Sequence, residues 1–167
     1  MRPGTHRRRV ATTVDRVEDI DLQIVRLLLE DGRMSYTDVG KATGLSTSAA
    51  HQRVRRLEQR GVIKSYRAVV DADALGLPLT AFISVKPFDP AAPDDVPDRL
   101  AGLPEIESCH SVAGDENYIL KVRVATPAVL EALLARIRSA ANVSTRTTIV
   151  LSTPFDGRGP DLSAADR

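Results

Sequence analysis

The most constraining feature of the sequence is a pair of amphipathic segments separated by a turn at Gly44. The first segment predicts a short helix that begins after Ser35 or Thr37, either of which is a good N-cap. Gly44 ends this helix, because glycine takes the left-handed conformation at little steric cost. The second segment predicts a longer helix, with Ser46 as its N-cap and its end near Arg60. A short helix, a tight turn containing glycine and a longer helix form the helix-turn-helix pattern.

The longer helix has two chemically different faces. Ala50, Val54 and Leu57 recur at helical spacing and form an apolar face. The polar and basic positions point away from it: Ser46, Thr47, Ser48, His51, Gln52, Arg55 and Arg56. In a helix-turn-helix the N-terminal half of the second helix enters the major groove of DNA, where Gln pairs with adenine, Arg with guanine, and Ser or Thr with bases or phosphates. These seven residues are the predicted DNA-binding residues; the alternative is a solvated charged face.

The charge of the chain is divided unevenly between its two halves, although the net charge is only +1. Residues 1–70 contain 14 Lys and Arg and 8 Asp and Glu, which gives +6, whereas residues 71–167 contain 9 and 14, which gives −5. A basic N-terminal half favours DNA over a merely solvated face, and an acidic C-terminal half indicates a different partner. Nineteen of the 23 basic residues are Arg, which suits phosphate recognition but also follows from a GC-rich genome.

A further helix is predicted before the helix-turn-helix. Its apolar stripe follows i, i+4, i+7, i+8 spacing: Ile20, Ile24, Leu27 and Leu28. Asp19 and Asp21 suit its positive N-terminal end. We expect this stripe to pack against the apolar face of the longer helix, which leaves the polar face of that helix free for a partner.

The chain ends and the single cysteine indicate a cytoplasmic protein with no membrane partner. Residues 1–16 have no periodicity and predict a disordered basic tail, in which Arg7, Arg8 and Arg9 either contact phosphates or are simply solvated. No apolar run is long enough to cross a bilayer, and the N-terminus lacks the apolar segment of a secretory signal. Cys109, the one cysteine, excludes an intramolecular disulfide and fits a reducing compartment.

The C-terminal half predicts a second domain. After a β-rich stretch at residues 62–70, the pattern becomes strand, helix, strand, strand, helix, strand, which is the ferredoxin-like arrangement of four antiparallel strands with both helices on one face. The fold class is therefore α+β, and the open face of the sheet needs cover, which a second subunit usually supplies. The predicted boundaries are a basic tail at 1–16, a helix-turn-helix domain at 17–70, a linker at 71–79, the ferredoxin-like domain at 80–154 and a flexible tail at 155–167.

No pattern in the sequence supports catalysis, a cofactor or a metal site. Cys109 and His110 are adjacent on a predicted strand, so their side chains point to opposite faces and cannot form a nucleophile–base pair. The three histidines, His6, His51 and His110, lie in unrelated elements without metal-ligand spacing. There is no phosphate-binding glycine loop of the Walker or dinucleotide type.

The turn at residues 112–118 has the chemistry to bind a small zwitterion. Gly114 favours a tight turn whose exposed backbone N–H groups could bind a carboxylate. Asp115 and Glu116 could bind an ammonium group. An amino acid needs this combination, but the same residues also make an ordinary hairpin turn.

The motifs in both halves, taken together, resemble one protein family. The motifs are "DGR", "RVRRLEQRGVIKSY", "CHSVAGDENYIL" and "STRTTIVL", and the similarity runs from about Ile20 to Pro154. This region is similar to the Lrp/AsnC (feast/famine) family of transcription regulators, in particular its actinobacterial members. The resemblance implies a winged helix-turn-helix domain joined to a RAM/ACT-like domain that binds an amino-acid effector and oligomerises.

The resemblance also implies an assembly and an effector site. Members dimerise through paired sheets, dimers assemble into octamers, and the amino acid is held between dimers near the turn and the last strand. The effector-binding residues expected here are Val112, Ala113, Gly114, Asp115, Glu116, Asn117, Tyr118, Thr148 and Ile149. Aliphatic residues among them favour an apolar or aromatic effector such as phenylalanine or leucine. Asn117 stands where G-D-x-D-Y members carry an acid, which puts a transferred effector specificity in question.

The expected function is therefore sequence-specific regulation of transcription, with operator binding and assembly modulated by an amino acid. The alternative is an architectural protein that compacts DNA without an effector, and both roles suit a nucleoid-associated location. An enzyme with a ferredoxin-like catalytic domain is the third possibility, which the absence of any catalytic pattern disfavours.

Overall fold

The computed structural model describes residues 18–91 and 93–162. The predicted basic tail at residues 1–16 therefore lies outside the described residues. The described chain forms two compact units, of which the first contains residues 18–68 and 157–162 and the second contains residues 69–156. Within the described residues, no helix combines the length and the apolar character needed to cross a membrane.

The first unit contains the predicted helices. They are α1 (Asp19–Glu30), α2 (Tyr36–Thr43) and α3 (Thr47–Gln59). The Ser35 and Ser46 hydroxyl groups cap α2 and α3, since they accept hydrogen bonds from the Asp38 and Ala49 amides respectively. Gly44 ends α2 with a φ of 71°, the left-handed conformation that favours glycine. The helix-turn-helix prediction is therefore confirmed, together with its caps.

The core of the first unit consists of one apolar residue from each of α1 and α2 and three from α3. These side chains have no exposed surface: Ile24, Val39, Ala50, Val54 and Leu57. The apolar face predicted for the longer helix is thus buried as expected. The predicted stripe on α1 is buried unevenly, because Ile24 is fully buried whereas Ile20, Leu27 and Leu28 are half-buried.

The β-rich segment at residues 62–70 forms no strand in the described structure. The strand that a winged helix-turn-helix would have here is therefore not formed among the described residues. The amides of Val62 and Ile63 both donate to the Leu57 carbonyl, which continues the end of α3. Beyond Ile63 every residue up to Val70 is exposed. β-branched residues favour extended backbone, but a strand also needs a hydrogen-bonded neighbouring strand, which none of the described residues supplies to this segment.

The second unit contains one four-stranded sheet and two helices. Its elements are β1 (Leu79–Pro87), α4 (Val96–Leu100), β2 (Ile106–Ser111), β3 (Tyr118–Val124), α5 (Pro127–Ala141) and β4 (Val143–Ile149). The strand order is β2-β3-β1-β4, and all neighbouring strands are antiparallel. This is the predicted ferredoxin-like arrangement, and the α+β fold class is confirmed.

The two faces of the sheet differ in burial. One face packs against α4 and α5 through side chains such as Ile83, Leu120 and Leu133, which are fully buried. The opposite face carries the alternate residues of each strand, and Phe82 there remains 42% exposed. Its central residues also include Ile119, which is half-buried next to Ser84 on β1. Neither helix of this unit covers this second face, as the sequence predicted.

Residues 157–162 of the predicted flexible tail lie against α1, whereas residues 155 and 156 belong to the second unit. Arg26 donates a hydrogen bond of 3.3 Å to the Leu162 carbonyl. A Cβ atom on Gly159 would lie 3.3 Å from the Leu29 side chain, so the backbone passes close to that residue. These contacts place residues 157–162 in the first unit.

Candidate nucleic-acid interface and effector turn

The N-terminus of α3 is built from hydroxyl side chains. The Ser46 oxygen accepts a hydrogen bond of 3.2 Å from the Ala49 amide, which caps the helix and leaves the O–H group able to donate to another acceptor. Thr47 donates to Thr37 on α2 at 3.4 Å. Ser46, Thr47 and Ser48 are exposed. The predicted phosphate contact at this end of the helix therefore rests on free backbone N–H groups and on exposed hydroxyls.

Three of the predicted DNA-binding residues are exposed, and their side chains form no hydrogen bond or ion pair with another described residue: Ser48, Gln52 and Arg55. His51 is also exposed, and its ring packs against Tyr36 with a centroid distance of 4.6 Å and a 45° tilt. These side chains share the side of α3 that faces away from Ala50 and Val54. Donors and acceptors of this kind on one exposed helix face can read base edges.

Arg56 differs from its neighbour Arg55, because its guanidinium is paired. Nη2 of Arg56 lies 3.0 Å from a carboxylate oxygen of Glu18, the residue before α1. Sequence reasoning assigned Arg56 to DNA and did not include this ion pair. Hydrogen bonds from Arg53 and then from Arg56 hold the pKa of Glu18 below its usual value.

Arg53 joins α3 to α1 and was not singled out from the sequence. Its Nη1 donates to Asp21 at 2.8 Å and to Glu18 at 2.9 Å. The Asp21 side chain is 1% exposed, so its charge is compensated almost entirely within the protein. From the sequence, Asp21 was expected only to interact favourably with the positive N-terminal end of α1. The available signal was the spacing of Arg53, which follows the buried Ala50 by three residues and precedes the buried Leu57 by four, and therefore lies beside the apolar face.

Gly40 allows the turn between α2 and α3 to approach the helix closely. The Leu45 amide donates to the Gly40 carbonyl at 2.9 Å. A Cβ atom on Gly40 would lie only 2.7 Å from the Leu45 carbonyl oxygen. Sequence reasoning missed this residue, although a glycine inside a short helix is unfavourable and indicates a packing requirement.

The predicted effector turn joins β2 to β3 at one end of the sheet. The Val112 amide donates to the Asn117 carbonyl at 3.0 Å, and the Asn117 amide donates to the Val85 carbonyl at 3.1 Å. The amides of Gly114 and Asp115 make no backbone hydrogen bond to another described residue, and both residues are exposed, as is Ala113. The turn thus has N–H groups that make no backbone hydrogen bond to another described residue. The φ of Gly114 is not positive, and the space around this residue is open.

Glu116 is already paired with a cation, which the sequence did not predict. Its carboxylate accepts from Arg146 on β4. The Arg146 hydrogen bond is the main cause of a lowered pKa for Glu116, and the Ser84 hydroxyl adds to it. The neighbouring Asp115 is exposed and has no ion pair with a described residue. Asp115, rather than Glu116, is therefore the carboxylate available to an ammonium group.

A polar hollow of about 260 Å³ lies beside the turn. Its lining contains both signs of charge: Ser84, Lys86, Asp115, Glu116, Ser144, Thr145 and Arg146. None of these residues is apolar. The sequence expectation of an aliphatic lining around the turn is thus not met within one chain.

Among the residues predicted for the effector site, Tyr118 directly follows the turn but is buried, whereas Thr148 and Ile149 lie apart from the turn. Tyr118 pairs with Val85 on the helix-covered face and is 2% exposed, so its ring belongs to the core. Thr148 and Ile149 occupy opposite faces of β4, and Ile149 pairs with Ala81. Along β1, Ala81 and Val85 are about 13 Å apart at 3.3 Å per residue. Antiparallel pairing therefore puts the end of β4 at the opposite end of the sheet from the turn.

Cys109 and His110 lie on opposite faces of β2, as expected from their adjacency. Cys109 pairs with Leu120 and His110 with Ile119 on β3. Burial raises the pKa of the Cys109 thiol, and the His110 ring lies 3.1 Å from the Ser108 hydroxyl. Within the described ranges, no cluster of three His, Cys, Asp or Glu side chains could hold a metal ion.

Two family matches cover the two units. Residues 18–58 match the AsnC-type helix-turn-helix domain, and residues 80–160 match the Lrp/AsnC ligand binding domain. The first match contains α1, α2 and most of α3. The second contains the sheet, its two helices and the turn at residues 112–117.

Several transcription regulators are similar to this chain over more than four fifths of its length. The HTH-type transcriptional regulator LrpA of Mycobacterium tuberculosis is 50% identical over 142 residues, which are 85% of this chain and 95% of LrpA. The leucine-responsive regulatory protein of Haemophilus influenzae is 34% identical over 81% of this chain and 84% of its own length. A solved structure of the M. tuberculosis feast or famine regulatory protein complexed with L-methionine superposes with a TM-score of 0.84 at 50% identity; the match covers 86% of this chain and 97% of that one. This chain belongs to the Lrp/AsnC family of DNA-binding transcription regulators.

Proposed function

We propose that this protein binds specific DNA sites through the exposed face of α3 and so regulates transcription at those sites. The observation that carries this proposal is the division of α3 into a fully buried apolar face and an exposed face, on which the side chains of Gln52 and Arg55 have no partner among the described residues. Arg can bind guanine and Gln can bind adenine through two hydrogen bonds each. Ser46, Thr47 and Ser48 at the N-terminus of α3 are suited to phosphates.

A homodimer would present two copies of α3 to one side of the duplex. Two half-sites would then be separated by about 34–36 Å, one turn of DNA, or by multiples of this distance. The open sheet face supports such a dimer, since Phe82 is 42% exposed there and Ile119 lies on the same face. In the full-length protein, Phe82→Glu should shift the mass measured by light scattering toward the monomer. An unchanged mass would exclude this face as the dimer contact. Assembly of dimers into an octamer is part of the same proposal.

Footprinting distinguishes a regulator from an architectural protein. The duplex is one that the full-length protein itself selects from a random-sequence library. Discrete protected sites repeated with the helical period of DNA support the proposed function. Extended protection that tolerates any sequence supports DNA compaction without an effector, the alternative role.

The turn at residues 112–117 is proposed to bind an amino-acid effector. The free amides of Gly114 and Asp115, together with Lys86 in the adjacent hollow, supply groups for a carboxylate. The Asp115 carboxylate supplies the partner for an ammonium group. The L-methionine complex of the 50% identical M. tuberculosis protein supports an apolar amino acid such as methionine, leucine or phenylalanine. The polar hollow holds only the zwitterionic end of such a ligand, so a second subunit has to contribute the apolar surface, in agreement with a site between dimers.

Effector binding would change the assembly or the spacing of the DNA-binding units and thereby the affinity for pairs of half-sites. Calorimetric titration of the full-length oligomer with each of the twenty amino acids tests this role. Binding of one or a few apolar amino acids supports it. No heat and no thermal shift with any of the twenty would contradict it and would leave the DNA-binding role standing.

A further inference from the structure

Glu18 connects two arginines of α3. One carboxylate oxygen accepts from Arg53 Nη1 at 2.9 Å, and the other accepts from Arg56 Nη2 at 3.0 Å. The side chains of Glu18 and Arg56 are 49% and 52% exposed. Both oxygens of a surface carboxylate are thus engaged by the helix that faces DNA in the proposed function.

The two arginines do not depend equally on Glu18. Arg53 also binds Asp21, whose side chain is buried, at 2.8 Å, and Arg53 itself is 29% exposed. Arg53 therefore keeps an anionic partner if Glu18 is removed or turns away. Arg56 has Glu18 as its one ion-pair partner among the described residues.

A DNA phosphate can replace the carboxylate on Arg56. Carboxylate and phosphate both present charged acceptor oxygens that a guanidinium group can bind through one or two hydrogen bonds. An ion pair between two exposed side chains is only weakly stabilising, so the exchange costs little. Arg56 follows Gln52 by one helical turn and therefore lies on the same side of α3.

We propose that Glu18 is an intramolecular substitute for a DNA phosphate, which holds Arg56 in the free protein and releases it to the DNA backbone when α3 binds. This inference rests on the proposed DNA-binding role of α3 and deepens it. Arg56 then contacts a phosphate, whereas base recognition falls to Gln52 and Arg55. Glu18 competes with DNA and keeps the affinity below the value that the arginines alone would give.

The test compares Glu18→Gln with Asp19→Asn in the full-length protein. Both variants remove one negative charge from the start of α1, but Asp19 is exposed and forms no ion pair with α3 in the described structure. Binding is measured by fluorescence anisotropy on a short mixed-sequence duplex at physiological salt. Glu18→Gln should bind roughly two- to fivefold more tightly than wild type. Asp19→Asn should change the affinity less than about twofold, because salt screens an exposed charge without a direct partner.

The same titration with Arg56→Ala and with the double variant Glu18→Gln/Arg56→Ala shows whether the gain in affinity depends on Arg56. If Glu18 acts through Arg56, the gain from Glu18→Gln disappears in the Arg56→Ala background. Persistence of the gain in that background, equal gains from Glu18→Gln and Asp19→Asn, or weaker binding by Glu18→Gln would each overturn the inference. Circular dichroism of each variant verifies that α1 and α3 remain folded.

A separate measurement distinguishes failure of this inference from failure of the DNA-binding role. On a duplex selected by the protein, Arg55→Ala should bind more weakly than wild type. If Arg55→Ala weakens binding and Glu18→Gln has no effect, only the inference about Glu18 is wrong. If Arg55→Ala has no effect either, the assignment of α3 is wrong.

Discussion

The Arg53 guanidinium lies 2.8 Å from the carboxylate of Asp21, a side chain that is 1% exposed. This contact joins the middle of α3 to the first turn of α1. A buried carboxylate is tolerated only with a hydrogen-bonded cation, so the position of α3 relative to α1 depends on this pair.

Removal of the arginine should therefore destabilise the protein. Arg53→Ala leaves Asp21 buried without its cation, and breaking a buried pair in this way costs about 3–5 kcal/mol. Because Arg53 is 29% exposed, we expect the low end, about 3 kcal/mol, in urea unfolding. Arg55→Ala is the matched control and should change the free energy of unfolding by less than about 0.5 kcal/mol. Equal stability of the two variants would show that the pair contributes nothing.

Gly40→Ala tests the close approach of the turn. Alanine is the better helix former by about 1 kcal/mol, so the substitution would stabilise an unconstrained helix. Here the new Cβ would lie 2.7 Å from the backbone oxygen of Leu45, which cannot rotate away. We expect the clash to dominate, with a net loss of about 1–3 kcal/mol in thermal or urea unfolding. Gly102→Ala, at a glycine with open space, is the control and should not destabilise; a stabilised Gly40→Ala protein would contradict the geometry.

Acid should weaken the link between α1 and α3. The pKa of Glu18 lies below its usual value of 4.5 in the folded state, chiefly because Arg53 and Arg56 donate to it. A lowered pKa means that the ionised form stabilises the fold above about pH 4.5, and that this contribution disappears as the pH falls through the folded value. Glu18→Gln should therefore be less stable than wild type at pH 7, and the difference should vanish well below pH 4.5. A difference that is independent of pH would exclude the ion pairs as its cause.

The two acidic residues of the turn should respond differently to loss of charge. Asp115→Asn removes the free carboxylate and should weaken the binding of an amino-acid effector by about 1.5–3 kcal/mol, roughly 10- to 150-fold. Glu116→Gln should have a smaller effect, because Glu116 is already bound to Arg146. Calorimetry with the effector identified by screening measures both, with Asp98→Asn on α4 as the charge-matched control. A stronger effect at Glu116 than at Asp115 would contradict this assignment.

Features with a local cause were predictable from the sequence. Ser46 and Gly44 mark the ends of helices through their own hydroxyl group and backbone freedom, and both were identified correctly. The order of predicted strands and helices was sufficient to predict the four-stranded antiparallel sheet with both helices on one face. The opposite faces of Cys109 and His110 also followed from their adjacency alone.

Features that depend on the register between distant segments were not predictable in this way. The sequence grouped Tyr118 and Ile149 with the turn, but pairing with Val85 and Ala81 puts one in the core and the other at the far end of the sheet. The pair of Asp21 and Arg53 joins residues 32 positions apart, and nothing in either segment specifies the other. Single-chain periodicity also gave no indication that residues 62–70 lack a partner strand.

The most direct test of the account is the affinity of α3 variants for a DNA duplex that the full-length protein selects. Arg55→Ala and Gln52→Ala should each weaken binding by about 1–3 kcal/mol in a gel-shift titration, because each removes a base contact. Arg138→Ala, which removes an arginine from α5, should bind within about twofold of wild type at the same salt, because α5 belongs to the other unit and is not part of the proposed DNA-binding face. Binding of this duplex by both Arg55→Ala and Gln52→Ala as tightly as by the wild-type protein would contradict the proposed role of α3.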